Sequence, residues 1–148
     1  MLAVYIAGLS ILYKGCNYVP EQVGLIESVA GNPALEYWRE QYPDNDIIKW
    51  DKGDITDNGR KDTVIIFSVG WRKNSMVVVL DYPEGYEMTE ETPAPVENQT
   101  IEFKKIDDKP PNELIITGSK GPYVGYAIYR MEGGELVDLF SQDMDLCC

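Results

Sequence analysis

The chain finishes Asp143-Met144-Asp145-Leu146-Cys147-Cys148, and the two adjacent thiols are the residues whose chemistry stands out first. Neighbouring cysteines can close a strained disulfide, and strain makes such a bond labile rather than structural. Reduced, two thiolates can grip one soft ion or metalloid such as Hg(II), Cu(I) or As(III). Asp143, Asp145 and the terminal carboxylate are negative, and negative neighbours hold a thiol in its protonated form. The pair therefore reads as a redox substrate or relay for a partner that supplies activation. Residues 142–148 are expected to form a flexible tail, because an exposed terminus can deliver its thiols to another protein. An inert tail is the bland alternative.

A second constellation lies at Asp54-Ile55-Thr56-Asp57-Asn58-Gly59-Arg60-Lys61-Asp62. Asp54, Thr56, Asn58 and Asp62 place oxygens at the first, third, fifth and ninth positions with glycine sixth, the spacing of a calcium loop. The loop runs into Thr63-Val64-Ile65-Ile66-Phe67, and it resembles the strand-leading turns of FG-GAP and VCBS-type β modules, which often bind calcium. The hairpin Gly125 to Leu139 is similar to theirs as well. Against calcium stand Arg60, Lys61 and the lack of a bidentate Glu at the twelfth position. The competing reading is a turn whose Asx side chains bond their own backbone.

Absences narrow the field further. The chain has no histidine, which removes the Ser-His and Cys-His nucleophile pairs and every histidine-containing zinc site. Three cysteines are too few for an all-thiolate zinc centre. A net charge of −12 with no Lys/Arg stripe repels phosphates, so nucleic acid is not an expected partner. Among 25 acidic residues chance carboxylate pairs abound, so acid–base catalysis has no marked candidate and a stand-alone enzyme is not the favoured reading. Trp50, Trp71, Tyr123, Tyr126 and Tyr129 could line a ligand cleft, although in strands such residues more often pack in the core or pair across strands.

The elements that must position these residues follow from periodicity. Met1 to Leu12 is an uncharged apolar run, too short to span a bilayer but matched to a signal-peptide core, and Gly15-Cys16 follows it. Residues 1–16 thus resemble the lipobox segment of bacterial lipoproteins, which implies lipid on Cys16. The alternative is a buried N-terminal element with a core cysteine. Pro20 to Tyr42 carries a helical apolar face, with Gly31-Asn32-Pro33 able to end one helix and start another. Seven short strand-like runs follow, at Asp46–Asp51, Thr63–Val69, Met76–Tyr82, Thr100–Ile106, Glu113–Gly118, Tyr123–Met131 and Glu135–Phe140. Glu132-Gly133-Gly134 reads as a hairpin turn and residues 84–99 as a solvated loop. The expectation is one α+β domain over 17–141: a short N-terminal helical segment, then a mostly antiparallel sheet of about six or seven strands.

The layout as a whole resembles the SaoC-type Cys-Cys-COOH (seleno)protein family, whose members end in Cys-Cys or selenocysteine-Cys. That resemblance assigns Cys147 to the position that can be selenocysteine and Cys148 to its partner. It implies an ABC transporter or a thioredoxin-like protein as partner. The resulting expectation is an extracytoplasmic accessory protein, attached to the outer face of the bacterial cytoplasmic membrane through Cys16. Its Cys147–Cys148 pair would serve as a thiol/disulfide relay or soft-metal carrier. The alternative is a non-catalytic surface binding or structural β module with a calcium-type acidic turn and an inert tail.

Overall fold

The computed structural model describes residues 29–148, so the apolar run at 1–12, Cys16 and residues 20–28 of the expected helical stretch lie outside the described residues. Helix α1 spans Pro33–Gln41 and is followed by nine strands. These are β1 (Ile47–Gly53), β2 (Asp62–Gly70), β3 (Lys73–Tyr82), β4 (Gly85–Met88), β5 (Thr92–Ala94), β6 (Glu97–Lys104), β7 (Glu113–Lys120), β8 (Tyr123–Glu132) and β9 (Glu135–Gln142). A final helical turn, α2, covers Met144–Cys147. Every strand pairing is antiparallel. One sheet runs β1-β2-β3-β4 with β5 also on β3, and the other runs β6-β7-β8-β9. The architecture is therefore mostly β, two meanders rather than one sheet, and the α+β expectation gives helix too large a share.

Side-chain pattern explains the layering. In β2 and β3 the runs Val64-Ile65-Ile66-Phe67 and Met76-Val77-Val78-Val79-Leu80 are apolar at every position, so both faces must be covered. Val64, Ile66, Met76, Val78 and Leu80 face the second sheet and pack with Ile101, Leu114, Ile116, Ala127, Tyr129 and Met131. Ile65, Phe67, Val77 and Val79 face the other way, onto Ala34, Leu35 and Trp38 of α1. Strand β8 instead alternates, with Gly125, Ala127, Tyr129 and Met131 buried and the residues between them at least partly exposed. The second sheet thus has one dry face, and β9 is exposed along most of its length.

Local chemistry sets the element ends. Pro33 opens α1 behind Asn32, as expected of a residue with no N–H to lose there. Asn32 itself makes no side-chain cap; its amide oxygen accepts from Lys52 Nζ of β1 at 3.1 Å. Arg39 closes the other end, lying 4.7 Å over the Trp38 ring and donating to the carbonyls of Tyr42, Pro43 and Asn45. Trp38 meets Phe67 edge-on with centroids 5.3 Å apart, which anchors the helix on the sheet. Gly133 and Gly134 both hold positive φ, 60° and 84°, making the tight turn between β8 and β9.

One charged cluster is built into the outer face of the second sheet. Glu113 is 1% exposed, and it accepts from Arg130 of β8 and from the Ile106 N–H at 2.8 Å. Arg130 also reaches Asp107 at 2.7 Å. Burial alone would raise the Glu113 carboxyl, but the donors outweigh it and hold it below its ordinary range. Asp107 is likewise lowered, first by Arg130 and then by the Lys109 N–H.

A lowered carboxylate contributes stability above its unfolded pKa and loses it as pH falls through the folded value. Wild-type protein is therefore expected to weaken in urea as pH drops below about 4, the ordinary carboxylate range. Arg130→Met should be clearly less stable at pH 7, with the gap closing on acidification as Glu113 takes up its proton. Unfolding curves at both pH values check this; an unchanged gap would remove Glu113 as its cause.

Candidate functional site

The terminal cysteines are not on a free tail. Asp143 adopts a left-handed backbone (φ 54°), and its carbonyl accepts the N–H groups of Leu146 and Cys147 at 3.1 and 3.3 Å, forming α2. The Cys147 carbonyl then accepts the Val96 N–H at 3.1 Å, which ties α2 to the link between β5 and β6. Lys120 Nζ reaches the Cys148 carbonyl at 3.5 Å. The expectation of exposed thiols on a flexible segment is corrected accordingly: Cys147 is 0% exposed and Cys148 is half-buried.

The physical reason is a hollow in the second sheet. Gly118 of β7 and Gly125 of β8 are directly paired, so two side chains are missing side by side. A Cβ built on Gly118 would overlap Pro95, and one built on Gly125 would overlap Cys147 Sγ and stand 3.0 Å from Met144 Sδ. The link segment plugs one half of the hollow and the sulfurs of α2 plug the other.

Both cysteines are free thiols, with their sulfurs 3.5 Å apart. Cys147 Sγ also lies 3.8 Å from Met144 Sδ and 3.7 Å from the Met144 carbonyl. Cys148 faces a cavity of about 670 Å³ between the open sides of the two sheets, shared with Lys73, Glu91, Tyr129, Asp138 and Asp145. Three carboxylates against one ammonium give that wall a negative balance. Burial, the hydrogen bond to Cys147 and that thiol's own negative form push the Cys148 thiol up to about 12, with Lys120 pulling the other way. Burial also raises the Tyr129 phenol, with Asp138 and the two cysteines adding to it.

The acidic turn uses its oxygens differently from a calcium loop. Asp54 accepts the N–H groups of Asn58 (3.3 Å) and Gly59 (2.8 Å). Asp62 is 0% exposed; it accepts the Ile55 N–H at 3.0 Å, the Thr56 hydroxyl at 3.1 Å and the Asp81 N–H at 2.9 Å. Burial raises its carboxyl despite those donors. Asn58 donates to the Asp81 carbonyl at 2.9 Å, so its side-chain amide also braces the turn against β3. This is the geometry of an Asx-braced turn. Among the described residues no three His, Cys, Asp or Glu side chains converge as a metal cluster.

The five aromatic residues do not share a cleft. Trp50 packs at the edge of the helix-side core, Trp71 is 91% exposed on the β2–β3 turn and Tyr123 is exposed at the start of β8. Tyr126 meets Phe140 edge-on across the outer face, and Tyr129 alone lines the cavity. Sequence reasoning missed Met144 and Gly125. Met144 sits three residues before Cys147, the spacing that brings side chains together on one helical turn, and that was the available signal.

No family model matches the chain, and no curated protein or solved structure does either. No helix among the described residues is long and apolar enough to cross a membrane.

Two expectations follow. Replacing Asp62 by Ala orphans the Ile55 and Asp81 N–H groups, at a cost of about 1–3 kcal/mol each; urea unfolding measures it, and a neutral result would refute the brace. Alkylation of Cys148 in folded protein at pH 8 should be slower than that of a free cysteine by about tenfold or more, because little thiolate is present. Mass-resolved labelling kinetics, compared with the urea-unfolded chain, decide this.

Proposed function

We propose that this chain is an extracytoplasmic accessory protein of the SaoC type that holds a soft metal ion or metalloid at Cys147 and Cys148. It serves a transporter or thioredoxin-like partner. The observation that carries the reading is the pair of free sulfurs 3.5 Å apart, one of them facing a cavity with a negative wall. A negative wall attracts cations, and adjacent thiolates prefer soft ones over Mg²⁺ or Ca²⁺.

Of the two services the pair could perform, holding an ion is favoured over relaying electrons. A relay needs thiols that reach into a second protein's active site, whereas α2 is tied down by Val96 and seated on Gly125. A small ion can come to the pair through the cavity instead. The extracytoplasmic setting draws its support from the apolar run at 1–12 and the Gly15-Cys16 step that follows.

Native mass spectrometry of the reduced protein with Hg(II), Ag(I) and arsenite tests the reading. One tightly held equivalent of at least one of them is expected, lost in the double variant Cys147→Ser, Cys148→Ser. At ligand about 100-fold over Kd the bound form should gain about 2.7 kcal/mol of stability. Failure of the wild-type protein to retain any of the three overturns it.

A further inference from the structure

Resting on that reading, we propose that Met144 is a third ligand, and that the site is a three-sulfur seat for a monovalent soft cation of the Cu(I) and Ag(I) class. The geometry begins with Gly125. Its missing side chain leaves a single hollow that receives both Cys147 Sγ and Met144 Sδ, because a Cβ there would overlap the first and stand 3.0 Å from the second. Cys147 Sγ is consequently central, 3.5 Å from Cys148 Sγ and 3.8 Å from Met144 Sδ. Metal–sulfur bonds of about 2.3 Å put three sulfurs arranged in a plane around one ion about 4 Å apart. The two spacings from Cys147 Sγ need only a small outward movement to match those of that arrangement.

Ligand chemistry selects the ion. A thioether is a soft, uncharged donor that suits Cu(I), whereas zinc takes four donors drawn from thiolate, imidazole and carboxylate. The chain has no imidazole, and among the described residues no third carboxylate or thiol joins the cysteines to make a harder set. Glu91, Asp138 and Asp145 line the cavity beside Cys148 without completing such a cluster, and their charge favours entry of a cation. Binding balances as one cation in and two thiol protons out to solvent, with no change in oxidation state of metal or sulfur.

The test compares wild-type protein with Met144→Leu, a volume-conserving change that keeps the packing on Gly125. Reduced protein is titrated with Ag(I), and with Cu(I) under anaerobic conditions against a chromogenic Cu(I) chelator. X-ray absorption counts sulfurs in the loaded form. Expected are three sulfurs around the ion in wild type, two in Met144→Leu, and a loss of affinity on the order of 10–100-fold in the variant, with an unchanged melting temperature of the unloaded protein. Equal affinity and equal sulfur count in the two proteins would overturn the Met144 assignment while leaving the cysteine site standing. Tighter retention of Zn(II) than of Cu(I) would overturn the choice of ion. Absence of any soft-ion binding to wild type would sink both this inference and the function it rests on.

Discussion

Two missing side chains govern the end of this sandwich. Gly118 and Gly125 face each other across β7 and β8, and the hollow they leave is where Pro95 and Cys147 come to rest. Without it the link between β5 and β6 could not approach the second sheet so closely, nor could α2 fold back beneath β8. A close-packed interior does not leave such a space empty. One face of the last turn is thus built into the fold: Cys147 is buried there, and burial pushes the Cys148 thiol up.

The rest of the architecture supplies walls. β2 and β3 are apolar on both faces and so carry a helix on one side and a sheet on the other. The second sheet needs cover on one face only, and its outer face can host the Glu113–Arg130 pair. A buried carboxylate is tolerable there because the Ile106 N–H and Arg130 both donate to it and Asp107 accepts from the same arginine. Asp62 plays a comparable part at the start of β2, gathering N–H groups from two segments that would otherwise lack acceptors.

Much of the fold could be read from residue order. All seven expected strands coincide with strands, because β-branched and aromatic runs separated by Gly, Pro and Asp leave little choice. Pro33 and the Gly133-Gly134 turn were equally plain. Two short strands, β4 and β5, were hidden inside 84–99, where Glu and Pro suggest a loop; β4 pairs with β3, and β5, at the edge, tolerates Pro93. The terminal cysteines were expected to be exposed, whereas Cys147 is buried and Cys148 half-buried. Their burial depends on Gly118 standing opposite Gly125, a matter of register between strands that no local pattern announces. For the same reason Asp54 and Asp62 stood open between a calcium loop and the favoured Asx-braced turn, and the partners they have are those of the turn.

Freedom to vary is spread unevenly over such a molecule. Leu136 and Asp138 apart, which line the cavity, β9 exposes most of its side chains and touches only β8 as a strand partner, so it can drift in sequence, and the turn before it can lengthen, at little cost. The opposite holds for the central hairpin of β2 and β3, where even a single methyl group out of place disturbs two packed layers at once. Relatives of this protein would be recognised by their middle and their last turn, long after their last strand had become unfamiliar.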